Sequence, residues 1–248
     1  MRFILCLLYL LPFLSLANNA RVAIVIDDIG YRYSDEAILT LSGNYTFSIL
    51  PHTPYGKTLA QQAFNKNHDI LLHIPMEAEN GKKLGPGALT TQMNEENIRH
   101  SLASSFAEIP FAIGINNHMG SRLTQMKNPM IWTMRFLKEH NMLFLDSLTS
   151  KDSQAGNIAK ALQVPSLNRS IFLDNQLDEA YIEQQFLKLI KRAKQNHSAI
   201  AIAHPHPETI KALKKLTPRL QAANIDLVPI SQLVEPQSHS ISTLVGEE

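Results

Sequence analysis

The sequence predicts an α/β fold in which seven or eight parallel strands, each followed by a helix, close or nearly close into a barrel within one domain. Three observations carry this. Short apolar runs alternate with helical stretches at βα spacing along most of the 248 residues, the pattern of a parallel sheet covered by helices. The run Val22-Ala23-Ile24-Val25-Ile26 is apolar at every position, as a strand buried on both faces must be. No linker or shift in composition interrupts the alternation, so one domain over residues 20–234 is expected. An open doubly wound sheet is the alternative that the same alternation allows.

Residues 1–17 precede that domain. Met1-Arg2 gives a positive start, residues 3–14 are almost continuously apolar, and Ser15-Leu16-Ala17 resembles a small-x-small cleavage site. That is the pattern of a secretory signal peptide, too short for a comfortable membrane span; a retained N-terminal anchor is the alternative. Cys6, the single cysteine, lies inside the apolar run, so the mature chain has neither disulfides nor thiol chemistry. The whole chain has 23 basic and 22 acidic residues, and residues 1–17 remove Arg2 but no acid. The mature chain is therefore formally neutral, which argues against nucleic acid or an anionic membrane surface as partner. No later run is long and apolar enough to cross a bilayer, so no stable membrane insertion is expected once the leader is gone. An exported, cysteine-free, neutral chain fits a bacterial periplasm. The triplets at Asn44, Asn168 and Asn196 would accept glycans only in a eukaryotic secretory pathway and are read as chance.

The first strand stops at Asp27-Asp28, and Gly30 allows a turn. Helical spacing over 33–41 is followed by a strand over 45–50, a helix over 58–67 and a strand from 69 that runs into His73 and Glu77. Residues 81–87, rich in glycine, form a long loop near that strand end. Asn94 caps a helix to 108, residues 111–115 form the fourth strand, and Pro129 opens a helix to 140. A fifth strand over 142–145 and a short helix over 157–163 lead to a sixth strand over 170–173. Asp178 caps a long helix to 195, a seventh strand covers 198–203, and a helix over 208–223 precedes a possible eighth strand over 225–230. From Glu235 the tail (235–248) is polar and aperiodic, which predicts disorder.

Function in such sheets gathers at the carboxyl ends of the strands. Those ends carry Asp27, Asp28, His52, His73, Asn116, Asn117, His118, Asp146, Ser147, Asp174 and His204, with His206 two residues further on. Imidazoles and carboxylates on one rim suit zinc or another divalent transition metal, with three protein ligands and a position left for water. A carboxylate beside such a site can take a proton and a histidine opposite can give one. Asn116 and Asn117 are amide dipoles that could bind substrate or orient a ligand imidazole, or simply form the turn. His68, His100, His140, His197 and His239 fall on helices, at helix ends or in the tail and are read as solvated.

The segments around Asp27-Asp28-Ile29-Gly30, His73-Ile74-Pro75-Met76-Glu77, residues 114–121, Asp146-Ser147 and His204-Pro205-His206-Pro207 resemble, in order, those of the divergent polysaccharide deacetylase family. The resemblance covers roughly residues 22–233. It implies an irregular (β/α) barrel and a carbohydrate esterase that removes N- or O-acetyl groups from polymers such as peptidoglycan, with a divalent metal, zinc in the first instance. It also implies roles: Asp27 the catalytic base, Asp28 a metal ligand, His204 the general acid. Typical members complete the metal site with two histidines four apart on one segment, a motif absent here. His73 stands near the expected place alone, so the third ligand is assigned to His118, with His52 or His206 as alternatives. Asn116, Asn117, Asp146 and His206 are expected at the substrate. The family's arginine motif is not recognisable, although Arg122 lies nearby. Two other readings use the same residues. One is a catalytically inactive relative that binds glycan or an envelope protein. The other is a metal-free glycoside hydrolase pairing Asp27 or Asp28 with Asp146 or Glu77.

Overall fold

The computed structural model describes residues 19–234; the leader expected over 1–17 and the tail over 235–248 lie outside the described residues. Nine strands, all paired in parallel, form one sheet: β1 (Ala20–Ile29), β2 (Thr46–Ile49), β3 (Asp69–Met76), β4 (Gly114–Met119), β5 (Leu143–Asp146), β6 (Ser166–Asn168), β7 (Ile171–Phe172), β8 (Ser198–Ala203) and β9 (Ile225–Leu227). Among the described residues seven α-helices lie between them: α1 (Gly56–Asn65), α2 (Glu95–Glu108), α3 (Lys127–Glu139), α4 (Ala155–Leu162), α5 (Glu179–Asn196), α6 (Pro207–Leu216) and α7 (Pro218–Ala222).

Spatial order is β6-β5-β4-β3-β2-β1-β8-β7, with β9 on β1. The edge strands β6 and β7 are consecutive in the chain, separated by Arg169 and Ser170. The Arg169 amide donates to Asp146 O (2.9 Å) and the Ser170 amide to Ile200 O (2.8 Å). Adjacent amides thus bond to β5 on one side and β8 on the other, and the curled sheet is drawn together by a segment that crosses the seam. This is the irregular (β/α) barrel expected from the sequence.

Strand alternation sorts the core into two layers. Val22, Ile24 and Ile26 pack outward in a large cluster with helix residues such as Leu102, Met134 and Phe186. Ala23 and Val25 pack inward with Leu71, Leu145, Ile200 and Ile202, and Ile230 and Leu233 seal this inner cluster. The sealing segment is a 3-10 turn, Ile230–Leu233, pinned by Ile230 N to Thr46 Oγ1 (3.0 Å) and Ser231 N to Asp69 Oδ2 (2.8 Å). Both ends of the described chain therefore lie at the amino ends of the strands.

Some elements differ from expectation. Residues 33–41 form a 3-10 helix, Tyr33–Thr40, rather than an α-helix. Asp35 explains it: its carboxylate accepts from the amides of Gly30 (3.0 Å) and Arg32 (3.2 Å) and ties this segment tightly to the preceding turn. The helix expected over 208–223 is two, because Pro218 has no amide to continue α6 and opens α7 instead. The last strand is only Ile225–Leu227 and lies beside the start of β1, outside the barrel order. The caps at Asn94 and Asp178 are as expected, accepting from Asn97 N and Tyr181 N.

Candidate metal centre

The site begins with an irregularity in β1. Ile26 pairs with Phe47 and Ile29 with Ile49, so three steps along β1 match two along β2. The extra residue is a bulge, and Asp28 there has φ +59°. In a regular strand adjacent side chains face opposite ways. Here both carboxylates turn inward: Asp27 Oδ2 lies 3.6 Å and Asp28 Oδ1 3.0 Å from the same atom, Nε2 of His73.

His73 follows Leu71 on the inner face of β3, and Asn116 of β4 stands beside it in register. His118, two residues further along β4, places Nδ1 2.7 Å from Asp28 Oδ1 and 3.2 Å from His73 Nε2. One donor atom each from Asp28, His73 and His118 falls within 4.8 Å of the others. Asp28 Oδ1 is buried and makes no well-formed hydrogen bond, despite the two ring nitrogens beside it.

Asn116 decides what His73 offers. Its Nδ2 donates to both oxygens of Asp27 at 2.9 Å, so its Oδ1 must accept. It accepts from the Ser48 hydroxyl and, at 2.9 Å, from His73 Nδ1. With Nδ1 holding the proton, the neutral ring turns the lone pair of Nε2 toward Asp28 and His118. Two imidazoles, a carboxylate and an orphaned carboxylate oxygen suit a divalent transition metal. Burial pushes the Asp27 carboxyl up, outweighing the nearby histidine charges. Burial also disfavours ionised Asp28, but its contacts with His118 and His73 prevail and hold it below the usual carboxylate range. His73 is shifted upward: burial opposes its charge, and the two carboxylates overcome that. A metal would compete for the atom that this proton occupies.

His204 comes from the other side, at the end of β8. Its Nδ1 lies 2.9 Å from Asp174 Oδ1, its amide donates to Asp174 Oδ2 at 2.7 Å, and Thr209 Oγ1 donates to the same oxygen at 2.8 Å. Nε2 is left facing the site, 3.9 Å from Asp28 Oδ2. Burial lowers the imidazole's affinity for a proton, but Asp174 and the site carboxylates overcome this and raise its pKa to about 9.

Asp27, Asp28, His73, His118 and His204 therefore converge. The residues expected at the substrate do not form a group. Asn116 is 0 % exposed and committed to Asp27 and His73. Asn117 is buried, joining Ser147 N (2.9 Å) to Met119 O (2.7 Å). Asp146 is buried and shapes its own turn through Leu148 N and Ser153 Oγ. His206 precedes α6, with its ring 6.1 Å from that of His204. His52 is held by Glu108, 2.8 Å from Nδ1. Glu77, four residues after His73, is turned to Thr91 and Arg122.

Two contributors, Ser48 and Arg169, escape sequence reasoning, and Asp174, placed on the rim by the sequence, is assigned no role by it. Ser48 is a small polar residue inside β2 with no pattern of its own. Arg169 lies in a stretch read as loop, yet its guanidinium donates to Ser147 O (2.6 Å) and Leu148 O (3.0 Å) and covers the Phe172 ring at 3.8 Å.

Residues 24–234 match the profile of the divergent polysaccharide deacetylase family. The chain belongs to that family. It is 36 % identical over 238 residues to the uncharacterized protein YibQ of Escherichia coli (strain K12), covering 95 % of this chain and 74 % of that one. An uncharacterized protein of Haemophilus influenzae is 39 % identical over 79 % of this chain and 70 % of its own. Among solved structures, an uncharacterized protein of Agrobacterium tumefaciens superposes with TM-score 0.84 at 30 % identity, covering 89 % of this chain and 91 % of that one. A CE4 family pseudoenzyme of Bacillus anthracis shares the fold at TM-score 0.55 and 14 % identity, covering 88 % of this chain and 66 % of that one.

Proposed function

We propose that this family member is a secreted, metal-dependent hydrolase, working in a bacterial periplasm, that removes acetyl groups from a cell-envelope polysaccharide. The observation that supports it most is the meeting of Asp28, His73 and His118 donor atoms within 4.8 Å, beside the buried carboxylate of Asp27. Asp28, His73 and His118 would hold the ion, zinc by the chemistry of the donor set. A bound divalent ion supplies Lewis acidity and brings the pKa of water down toward ~7.

The protein's own groups divide the proton work. Asp27, with both oxygens held by Asn116, receives the proton of the attacking water. His204, with Nδ1 fixed by Asp174, presents Nε2 to the departing amine or hydroxyl and protonates it. Metal-free glycosidase chemistry is less well supported, because Asp146 has both oxygens committed to its turn and Glu77 is bound to Thr91. The inactive-binder reading is favoured by the missing two-histidine segment, Glu77 standing where the second histidine would be. One fold neighbour, from Bacillus anthracis, is a CE4 family pseudoenzyme.

The deciding experiment measures zinc content of the purified mature chain, wild type beside Asp28→Asn and His118→Ala, with acetate release from acetylated glycan oligomers. One equivalent in wild type, lost from both variants, with acetate released only by wild type, is the expected result. Glycan binding with neither zinc nor acetate release would overturn it in favour of the inactive binder.

A further inference from the structure

The segments that follow β1 and β2 carry exposed aromatic side chains. Tyr31, Tyr33 and Tyr55 are 49 %, 69 % and 39 % exposed. Tyr31 and Tyr55 come from the loops at the carboxyl ends of β1 and β2, Tyr33 opens the 3-10 helix, and Tyr31 follows Asp28 by three residues. The Tyr33 and Tyr55 rings meet edge to face, with centroids 5.9 Å apart. The Tyr31 hydroxyl lies so close to the 81–87 loop that a Cβ on Gly85 would come within 2.8 Å of it. The three rings thus spread from the end of β1 toward the loops after β2 and β3.

The backbone beneath these rings is fixed. The Tyr55 amide donates to Gly30 O at 2.9 Å, which ties the two loops together. Gly30 has φ +133°, and a Cβ there would fall 2.2 Å from Thr53 Oγ1. Asp35, completely buried, uses one carboxylate oxygen on the amides of Gly30 and Arg32. A buried carboxyl group thus holds in place a segment whose most prominent side chains face water. That is the construction of a preorganised binding surface.

We propose that Tyr31, Tyr33 and Tyr55 form a shelf on which pyranose rings of the polymer stack on one side of the acetyl group being removed. This rests on the glycan reading of the site above. The C–H face of a pyranose is apolar and packs against an aromatic ring, while phenol hydroxyls reach ring hydroxyls. The shelf begins within three residues of a metal-ligand candidate. A polymer is the fitting occupant because a single sugar in the site would leave the shelf uncovered.

The test uses β-1,4-linked N-acetylglucosamine oligomers of one to five residues as probe, with binding followed by calorimetry on the mature chain. Wild type should bind the pentamer at least ten times more tightly than the monomer. Tyr33→Ala combined with Tyr55→Ala should abolish that gain, and Tyr33→Phe with Tyr55→Phe should keep most of it. Equal affinity of the alanine and wild-type chains for the pentamer, with unchanged melting temperatures, would overturn the shelf. Asp28→Asn separates the two readings. Loss of zinc and acetate release with pentamer affinity retained supports both. Pentamer affinity that depends on the tyrosines in a wild-type chain holding no metal supports the shelf and overturns the hydrolase.

Discussion

The inner face of the sheet has two halves built from the same strands and opposite in character. Toward the amino ends, Ala23, Val25, Leu71, Leu145 and Ile202 point inward and are sealed by Ile230 and Leu233. Two residues further along the same strands, the inward positions are Asp27, His73, Ser147 and His204. Nothing in strand geometry distinguishes the halves; only the side chains change. The lower half gains free energy from burial. The upper half gathers carboxylates and imidazoles held by one another and by Asn116 and Thr209, and the bulge that turns Asp28 inward puts it in left-handed backbone, at a cost of order 1 kcal/mol or more. Stability is made at one end and used at the other.

The contrast breaks most sharply at Asp27. Asp27→Asn keeps the shape of the upper half and removes the proton acceptor, so acetate release should fall about 10²–10⁴-fold. Zinc content and melting temperature should stay near wild type, and a variant that loses its zinc would make Asp27 a ligand instead. Leu71→Ala is the mirror experiment below. It should lower unfolding free energy by about 2–5 kcal/mol in denaturant titration while leaving one zinc bound under native conditions.

A smaller effect tests how the halves are joined. Asn116→Ala removes the group that orients His73 and holds Asp27. Zinc affinity, measured by chelator competition, should weaken about 10–100-fold; unchanged affinity would mean that His73 needs no orienting partner. The smallest effect belongs to the amino end of β2. Tyr45 is buried, which raises its phenol to about 12 against the opposing hydrogen bond with Thr217. The unfolded chain loses that proton near pH 10, the folded chain only near 12. Stability is therefore unaffected below pH 10 and falls as pH rises through that window, by about 1.4 kcal/mol at pH 11. Denaturation at pH 9 and 11 should show a shallower drop for Tyr45→Phe.

How far the site could be read from sequence follows from these same halves. His73 and His204 were legible because each ends an apolar run, where a polar residue on the inner face has little else to do. That Asp27 and Asp28 share a site was legible only as a coincidence of place. The bulge that turns both inward depends on the register of β2, which no local pattern encodes. Asn116 looked like a substrate contact or a turn former; its burial between His73 and Asp27 is set by β3–β4 pairing. Strands as short as β6 and β7 carry no periodicity, so Arg169, at the crossing between them, passed for loop. His68, read as solvated, is half-buried with Nδ1 3.1 Å from Tyr45 O and its ring against Phe47, a contact made across strands.

The docking of Ile230–Leu233 under the barrel has a consequence for how the molecule meets its surroundings. Asn19 and Val234 both leave from that pole, and β1, ten residues long, puts about 30 Å between it and the acidic rim. Whatever is joined before Asn19 or after Val234, be it an anchor, a surface or an affinity bead, holds the molecule by its base. The rim that carries Asp28, His73 and His118 lies at the opposite pole, like the working end of a tool gripped by its handle.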